Sequence, residues 1–206
     1  MGTSNNKWLP ILIVITSWFA LISQFYLIIL NRTVSIGETI IRYFSFFTIL
    51  TNLLVALCFT FILLAKKIKS AYFLGKRTLT AVTVYIIIVG LVYNLILRFL
   101  WNPEGLQFIV DELLHSVIPL LCFIFWWLNV SREKLEWKDA FPWLLYPFLY
   151  ILYSLVHGRI SNYYPYPFID VNTLGYKQVA INSILLAGCF WVVSCILIAI
   201  TKKRYR

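Results

Sequence analysis

Asp111, Glu112 and His115 are spaced so that, on a helix, either carboxylate stands one turn from the imidazole. A carboxylate there favours the protonated ring and fixes its tautomer, as a general base requires. A simple hydrogen-bonding role at a membrane rim is the plainer reading of the same histidine. Pro119 lies four residues further on and has no N–H to give the His115 carbonyl, so that oxygen is freed and a kink is expected. Ser45, Thr48 and Asn52 recur at i, i+3 and i+7, which puts two hydroxyls and an amide on one helical face. A hydroxyl and a histidine brought together make the nucleophile and base of acyl transfer. Hydrogen bonding between helices is the ordinary alternative for such residues in a membrane.

A second set of polar residues belongs to the same end of the chain's apolar segments. Gly90, Asn94 and Arg98 follow one another at four-residue intervals. Gly90 permits close helix approach, Asn94 is too deep to be an interfacial side chain, and Arg98 either binds an anion or carbonyl oxygen or extends to the headgroups. His157-Gly-Arg159 reads as a helix stop, and Tyr163-Tyr-Pro-Tyr-Pro-Phe-Ile-Asp170 as an extended segment with interfacial tyrosines. Asp170 beside that aromatic cluster is a candidate inward-facing carboxylate. Gln24, Gln178 and Asn182 complete the set.

The elements that must position these groups follow from composition. Hydrophobic residues make up 61% of the 206-residue chain and charged residues only 13%, which excludes a soluble core. About 20 apolar residues cross a bilayer as a helix. The hydropathy pattern gives an all-α, six-helix membrane bundle with spans over 8–30, 40–65, 78–99, 108–130, 140–156 and 176–201 in a single domain. The first run is too long for a secretory signal's apolar core and reads as a retained anchor. With both termini cytoplasmic, the inner segments hold thirteen of the eighteen Lys and Arg residues. That bias sets the orientation and accounts for the net charge of +10, so no nucleic-acid partner is expected. Cys58, Cys122, Cys189 and Cys195 fall inside spans without ligand spacing, and neither metal nor cofactor is expected.

In this topology the polar residues collect in the outer half of the bundle, while the inner half is nearly all apolar. A proton or ion path needs polar groups at both depths. The pattern therefore favours a pocket open to the outside or to the outer leaflet.

Three stretches carry a family resemblance: Arg42-Tyr-Phe-Ser45-Phe-Phe-Thr48-Ile-Leu-Thr-Asn52, the His115-to-Pro119 element, and Tyr166-Pro-Phe-Ile-Asp170. Together they resemble the bacterial six-helix proteins called the Pr6Pr family and, more distantly, the androgen-induced and androgen-dependent membrane proteins of animals. The animal proteins are intramembrane threonine hydrolases that cleave fatty-acid esters of hydroxy fatty acids with a Thr and a His. The resemblance implies Ser45 as nucleophile, with Thr48 one turn below as its rival, and His115 as the family histidine. Two departures stand out: serine replaces threonine at the nucleophile position, and the His-to-Pro interval is one residue shorter.

The expected activity is hydrolysis of a fatty-acyl ester at the outer leaflet of the cell membrane. Ser45 or Thr48 attacks the carbonyl, His115 takes the proton and Asp111 or Asp170 orients the ring. Asn52, Asn94, Arg98 and Asn182 are the candidate contacts to substrate or oxyanion. The alternative is a non-enzymatic binder or transporter of a small lipophilic molecule in the same pocket. A haem or quinone protein using His115 and His157 is a more remote option. Serine-protease glycine motifs and metalloprotease signatures are missing from the sequence.

Overall fold

The computed structural model describes residues 8–64, 75–130 and 135–205. Ala65, the predicted end of the second span, and the basic residues Lys7, Lys66, Lys67, Lys69, Arg132, Lys134 and Arg206 lie outside them. The described residues form helices and no strand, and six helical segments are long and apolar enough to cross a membrane.

The first span is one uninterrupted helix, α1 (Trp8–Leu30). The second is not. A short amphipathic helix, α2 (Ile36–Ser45), precedes α3 (Phe47–Leu64), and Phe46 between them is extended, with φ −79° and ψ 125°. The Ser35 hydroxyl caps α2 by accepting the Glu38 N–H at 3.3 Å, and Glu38 holds Arg42 at 2.8 Å one turn on. The membrane-crossing helix therefore starts at Phe47, seven residues later than hydropathy places it. This break inserts a helix N-terminus, with its unpaired N–H groups, among the residues of the hydroxyl stripe.

The third span is α4 (Lys76–Leu95), tightened into a 3-10 turn over Leu97–Leu100. The fourth joins α5 (Gly105–Glu112) to α6 (Ile118–Asn129) through a π-helical turn, Leu113–Val117. The fifth starts earlier and ends later than expected: a 3-10 turn at Trp137–Asp139, then α7 (Ala140–Trp143) and α8 (Leu145–Ser161). Pro147 lacks the N–H that would continue the helix from α7, so α7 and α8 divide there. The sixth is α9 (Val171–Tyr205), interrupted at Gly175, whose φ of 71° and ψ of 159° are not helical. Its regular part resumes at Tyr176, where the apolar pattern begins.

The central helix is α4, with 67% of its span buried, against 17% to 44% for the other five. Side chains tie its neighbours together at two ends. At one, Arg77 pairs with Asp139 at 3.2 Å, Trp126 donates to Thr80 at 2.9 Å, and Lys202 lies 4.7 Å over the Trp137 ring. At the other, Tyr43 donates to the Leu21 carbonyl at 2.8 Å and Gln107 to Gln24 at 2.8 Å. The cluster of polar groups described next is built at this second end.

Candidate functional site

The break at Phe46 leaves Thr48 as the second residue of α3, where no preceding turn can accept its N–H. The acceptor is the Tyr166 hydroxyl, 3.2 Å away, brought in by the 3-10 turn Pro167–Ile169 ahead of α9. The same hydroxyl lies 3.3 Å from Thr48 Oγ1. On the other side of Thr48 Oγ1, also at 3.3 Å, is His115 Nε2. Thr48 and His115 are both buried, and Tyr166 with them.

The tautomer of His115 follows from its other nitrogen. Nδ1 faces two acceptors, the Asp111 backbone carbonyl at 2.9 Å and the Asp111 carboxylate at 3.3 Å. Two acceptors require a proton on Nδ1, which leaves the Nε2 lone pair facing the Thr48 hydroxyl. The second carboxylate oxygen of Asp111 accepts a hydrogen bond from Tyr93. The Tyr93 ring also stacks on the imidazole, with centroids 3.9 Å apart and planes 14° apart. Two partners on different helices thus fix the ring in orientation and in plane.

The backbone around His115 is shaped by Pro119. With no N–H at residue 119, the His115 carbonyl has no ordinary helical partner, and the chain widens into the π turn. Asn94 Nδ2 donates to the freed carbonyl at 3.1 Å and to the Gly90 carbonyl at 2.9 Å. Gly90 makes this approach possible: a Cβ there would lie 3.1 Å from the His115 oxygen and 3.2 Å from the Pro119 Cβ. Asn52 performs a similar bridge on the α3 side, donating to the Thr48 carbonyl at 2.9 Å and to the Leu114 carbonyl at 3.3 Å.

The remaining predicted residues sit elsewhere. Ser45 ends α2 fully buried, with its hydroxyl on the Arg42 carbonyl at 2.7 Å and its own carbonyl accepting from Tyr150. The extended Phe46 separates it from the helix that carries Thr48, so the two hydroxyls no longer share one helical face. Asp170 caps α9: its carboxylate accepts the Asn172 N–H at 2.9 Å and the Thr173 hydroxyl at 2.8 Å. Asn182 donates to the Phe168 carbonyl at 2.8 Å and so braces the turn that presents Tyr166. Arg98 is paired with Glu112 and reaches Ser116 at 3.3 Å. The amide donors of Asn52, Asn94 and Asn182 are thus bonded to backbone carbonyls, and the Tyr166 hydroxyl, which accepts the Thr48 N–H, is the donor left beside the Thr48 hydroxyl.

Burial pushes the Tyr166 phenol above its usual range, and its bonds to Thr48 only partly offset that. It is a neutral donor at any ordinary pH. Tyr166 and Tyr93 were not among the sequence-derived candidates. Tyr166 reads from sequence as one interfacial tyrosine among several. Only the three-dimensional path of the Pro-rich segment distinguishes it.

Two cavities meet at this cluster. One, of about 880 Å³, runs between α4, α8 and α9 and is lined almost wholly by apolar side chains. The other, of about 250 Å³, contains Gln24, Gln107, Asp111 and His115. Thr48, Tyr93, Leu97 and Tyr166 line both. Comparison with family models, with curated proteins and with solved structures finds no match to the chain.

Proposed function

We propose that this membrane protein is an intramembrane hydrolase of fatty-acyl esters, with Thr48 as nucleophile and His115 as general base. The observation that carries the reading is the Thr48 hydroxyl held between His115 Nε2 and the Tyr166 hydroxyl, at the junction of a large apolar cavity and a smaller one that contains Asp111 and His115. In the first step Thr48 Oγ1 bonds to the acyl carbon while its proton passes to His115 Nε2. The charge that develops on the carbonyl oxygen is met by the Tyr166 O–H, whose oxygen accepts the Thr48 N–H at the positive end of α3. His115 then returns the proton to the departing alkoxide oxygen, and the C–O bond breaks to leave acyl-Thr48. Water attacks that ester, giving its proton to His115, and the carboxylic acid leaves as Thr48 is regenerated. Asp111 stabilises the imidazolium that forms twice in the cycle.

The positive-inside bias supports a site toward the outer leaflet, with both termini cytoplasmic. Arg77, Lys202 and Arg204 gather with Asp139, Trp137 and Trp127 at the end opposite the cluster. Among the reasons for the hydrolase reading, the resemblance to the six-helix threonine hydrolases is secondary to the geometry.

The test is turnover of a fluorogenic fatty-acyl ester by detergent-purified protein. Wild type hydrolyses it, Thr48→Ala and His115→Ala lose at least 10²-fold in kcat/KM, roughly the scale of one essential catalytic group, and Ser45→Ala retains activity. The large apolar cavity supports a second reading, a binder or transporter of a lipophilic molecule. In that case the protein retains a lipid probe, no ester is turned over, and Thr48→Ala leaves retention unchanged.

A further inference from the structure

The two cavities are not equivalent with respect to the base. Asp111 and His115 line the smaller one and are not among the residues of the larger. In acyl transfer the protonated base must deliver its proton to the oxygen of the leaving alcohol, which therefore departs on the side where the base is exposed. The acyl chain must leave the reacting carbon in the other direction. From this asymmetry, and resting on the hydrolase reading above, we infer that the substrate is a long-chain acyl ester of a small, uncharged polar alcohol such as a glycerol monoester. The acyl chain occupies the large cavity and the alcohol the small one.

Shape and chemistry of the cavities agree with that assignment. The large cavity follows the fifth span from Phe141 to Leu155. At 1.5 Å per residue those positions cover about 20 Å, the reach of a long extended chain. Its polar lining groups are few: Thr48, Ser183 and the tyrosine hydroxyls supply them. Phe148 and Ile184, on facing helices of its wall, are 56% and 71% exposed, so the chain can enter between α8 and α9 from the bilayer. The small cavity is about 250 Å³ and carries two carboxamides; Gln107 Nε2 donates to Gln24 Oε1, which leaves Gln24 Nε2 to donate to an alcohol and Gln107 Oε1 to accept from it.

Charge completes the argument. Neither cavity is lined by a lysine or an arginine among the described residues, and Asp111 is the one carboxylate in the small cavity. The nearby guanidiniums are charge-paired, Arg98 with Glu112 and Arg42 with Glu38, and Arg98 Nε is the one guanidinium nitrogen of the two that is buried without a hydrogen-bond partner. A phosphate or a free carboxylate on the alcohol would be desolvated beside Asp111 without a counter-charge, which is strongly unfavourable. Esters of neutral alcohols escape that cost.

The experiment compares three C16 substrates in detergent micelles: 1-palmitoylglycerol, the lysophosphatidate with the same acyl chain, and hexadecyl acetate, in which the long chain is on the alcohol. p-Nitrophenyl butyrate in the same preparations reports whether Thr48-dependent hydrolysis exists at all. The expected result is that kcat/KM for 1-palmitoylglycerol exceeds that for each of the other two by at least tenfold. Hexadecyl acetate hydrolysed as fast or faster overturns the cavity assignment, and equal turnover of the lysophosphatidate overturns the neutral-alcohol assignment, in both cases with the hydrolase reading intact. If no ester, butyrate included, is turned over in a Thr48-dependent way, the hydrolase reading fails and this inference with it. A second variant, Ala187→Phe, narrows the large cavity. It lowers the ratio of palmitoyl to butyryl turnover, and an unchanged ratio counts against an acyl chain in that cavity.

Discussion

Thr48 Oγ1 and His115 Nε2 stand 3.3 Å apart across the interface between two membrane-spanning segments, although 67 residues separate them in the chain. Each is delivered by an irregularity in its own helix. Thr48 is at an N-terminus created by the extended Phe46, and His115 is in a π turn created by Pro119.

Tyr166 is the group whose removal separates catalysis from packing. Tyr166→Phe keeps the ring contacts with Phe46 and Phe168 but removes the hydroxyl from Thr48. We expect kcat to fall about 10²-fold, the usual loss for one oxyanion donor, with KM little changed and a loss of stability of about 1–3 kcal/mol from the Thr48 N–H left without its acceptor. Because burial raises the phenol's pKa, the protonated donor persists above pH ~10. The alkaline limb of the wild-type rate profile should therefore contain no loss assignable to Tyr166.

Asp111 orients His115 through a backbone carbonyl as well as a carboxylate. Asp111→Asn leaves the carbonyl contact, which still requires a proton on Nδ1. The predicted loss in kcat is about 10- to 10²-fold, smaller than the ~10⁴ found where the carboxylate alone sets the tautomer. Stopped-time hydrolysis assays across pH 5 to 9 measure it. A loss of ~10⁴ would show that the carbonyl contributes nothing.

Gly90 and Asn52 act on the geometry without touching the reacting groups. Gly90→Ala puts a methyl 3.1 Å from the His115 carbonyl and 3.2 Å from the Pro119 Cβ, so the turn that holds His115 must shift by a few tenths of an ångström. Overpacking of this kind costs about 1–3 kcal/mol. Asn52→Leu removes the amide that joins Thr48 to the turn holding His115; the Thr48 carbonyl keeps its helical partner, and the buried Leu114 carbonyl loses its donor at about 1–3 kcal/mol. Both variants should unfold earlier on heating in detergent, and both should lose more activity than the stability change explains.

Much of this arrangement is legible in the sequence, and the parts that are not share one cause. Hydropathy alone gives the six spans, and i, i+4 spacing gives the Asp111–His115 pair. Pro119 announces the freed carbonyl, to which Asn94 donates. The break at Phe46 carries no glycine or proline, so the stripe Ser45, Thr48, Asn52 reads as one helical face when it belongs to two helices. What bends the chain there is tertiary: the Phe46 ring packs edge-on against Tyr163 and Tyr166 from the other end of the sequence. Asp170 illustrates the reverse case. An Asp immediately before a helical run, followed by Asn and Thr, has the signature of an N-cap, and its carboxylate is spent on α9. The tyrosines of the Tyr-Pro repeat are alike in composition, and only the turn at Pro167–Ile169 selects Tyr166 for the site.

The central claim, that Thr48 is the activated hydroxyl, is tested most directly by locating a covalent adduct. Detergent-purified protein is treated with a fluorophosphonate, digested, and the modified residue is read by mass spectrometry. With Thr48 as the activated hydroxyl, the adduct falls on Thr48 and disappears in His115→Ala, while Ser45 stays unmodified. An adduct on Ser45, or labelling of Thr48 that persists without His115, would contradict it.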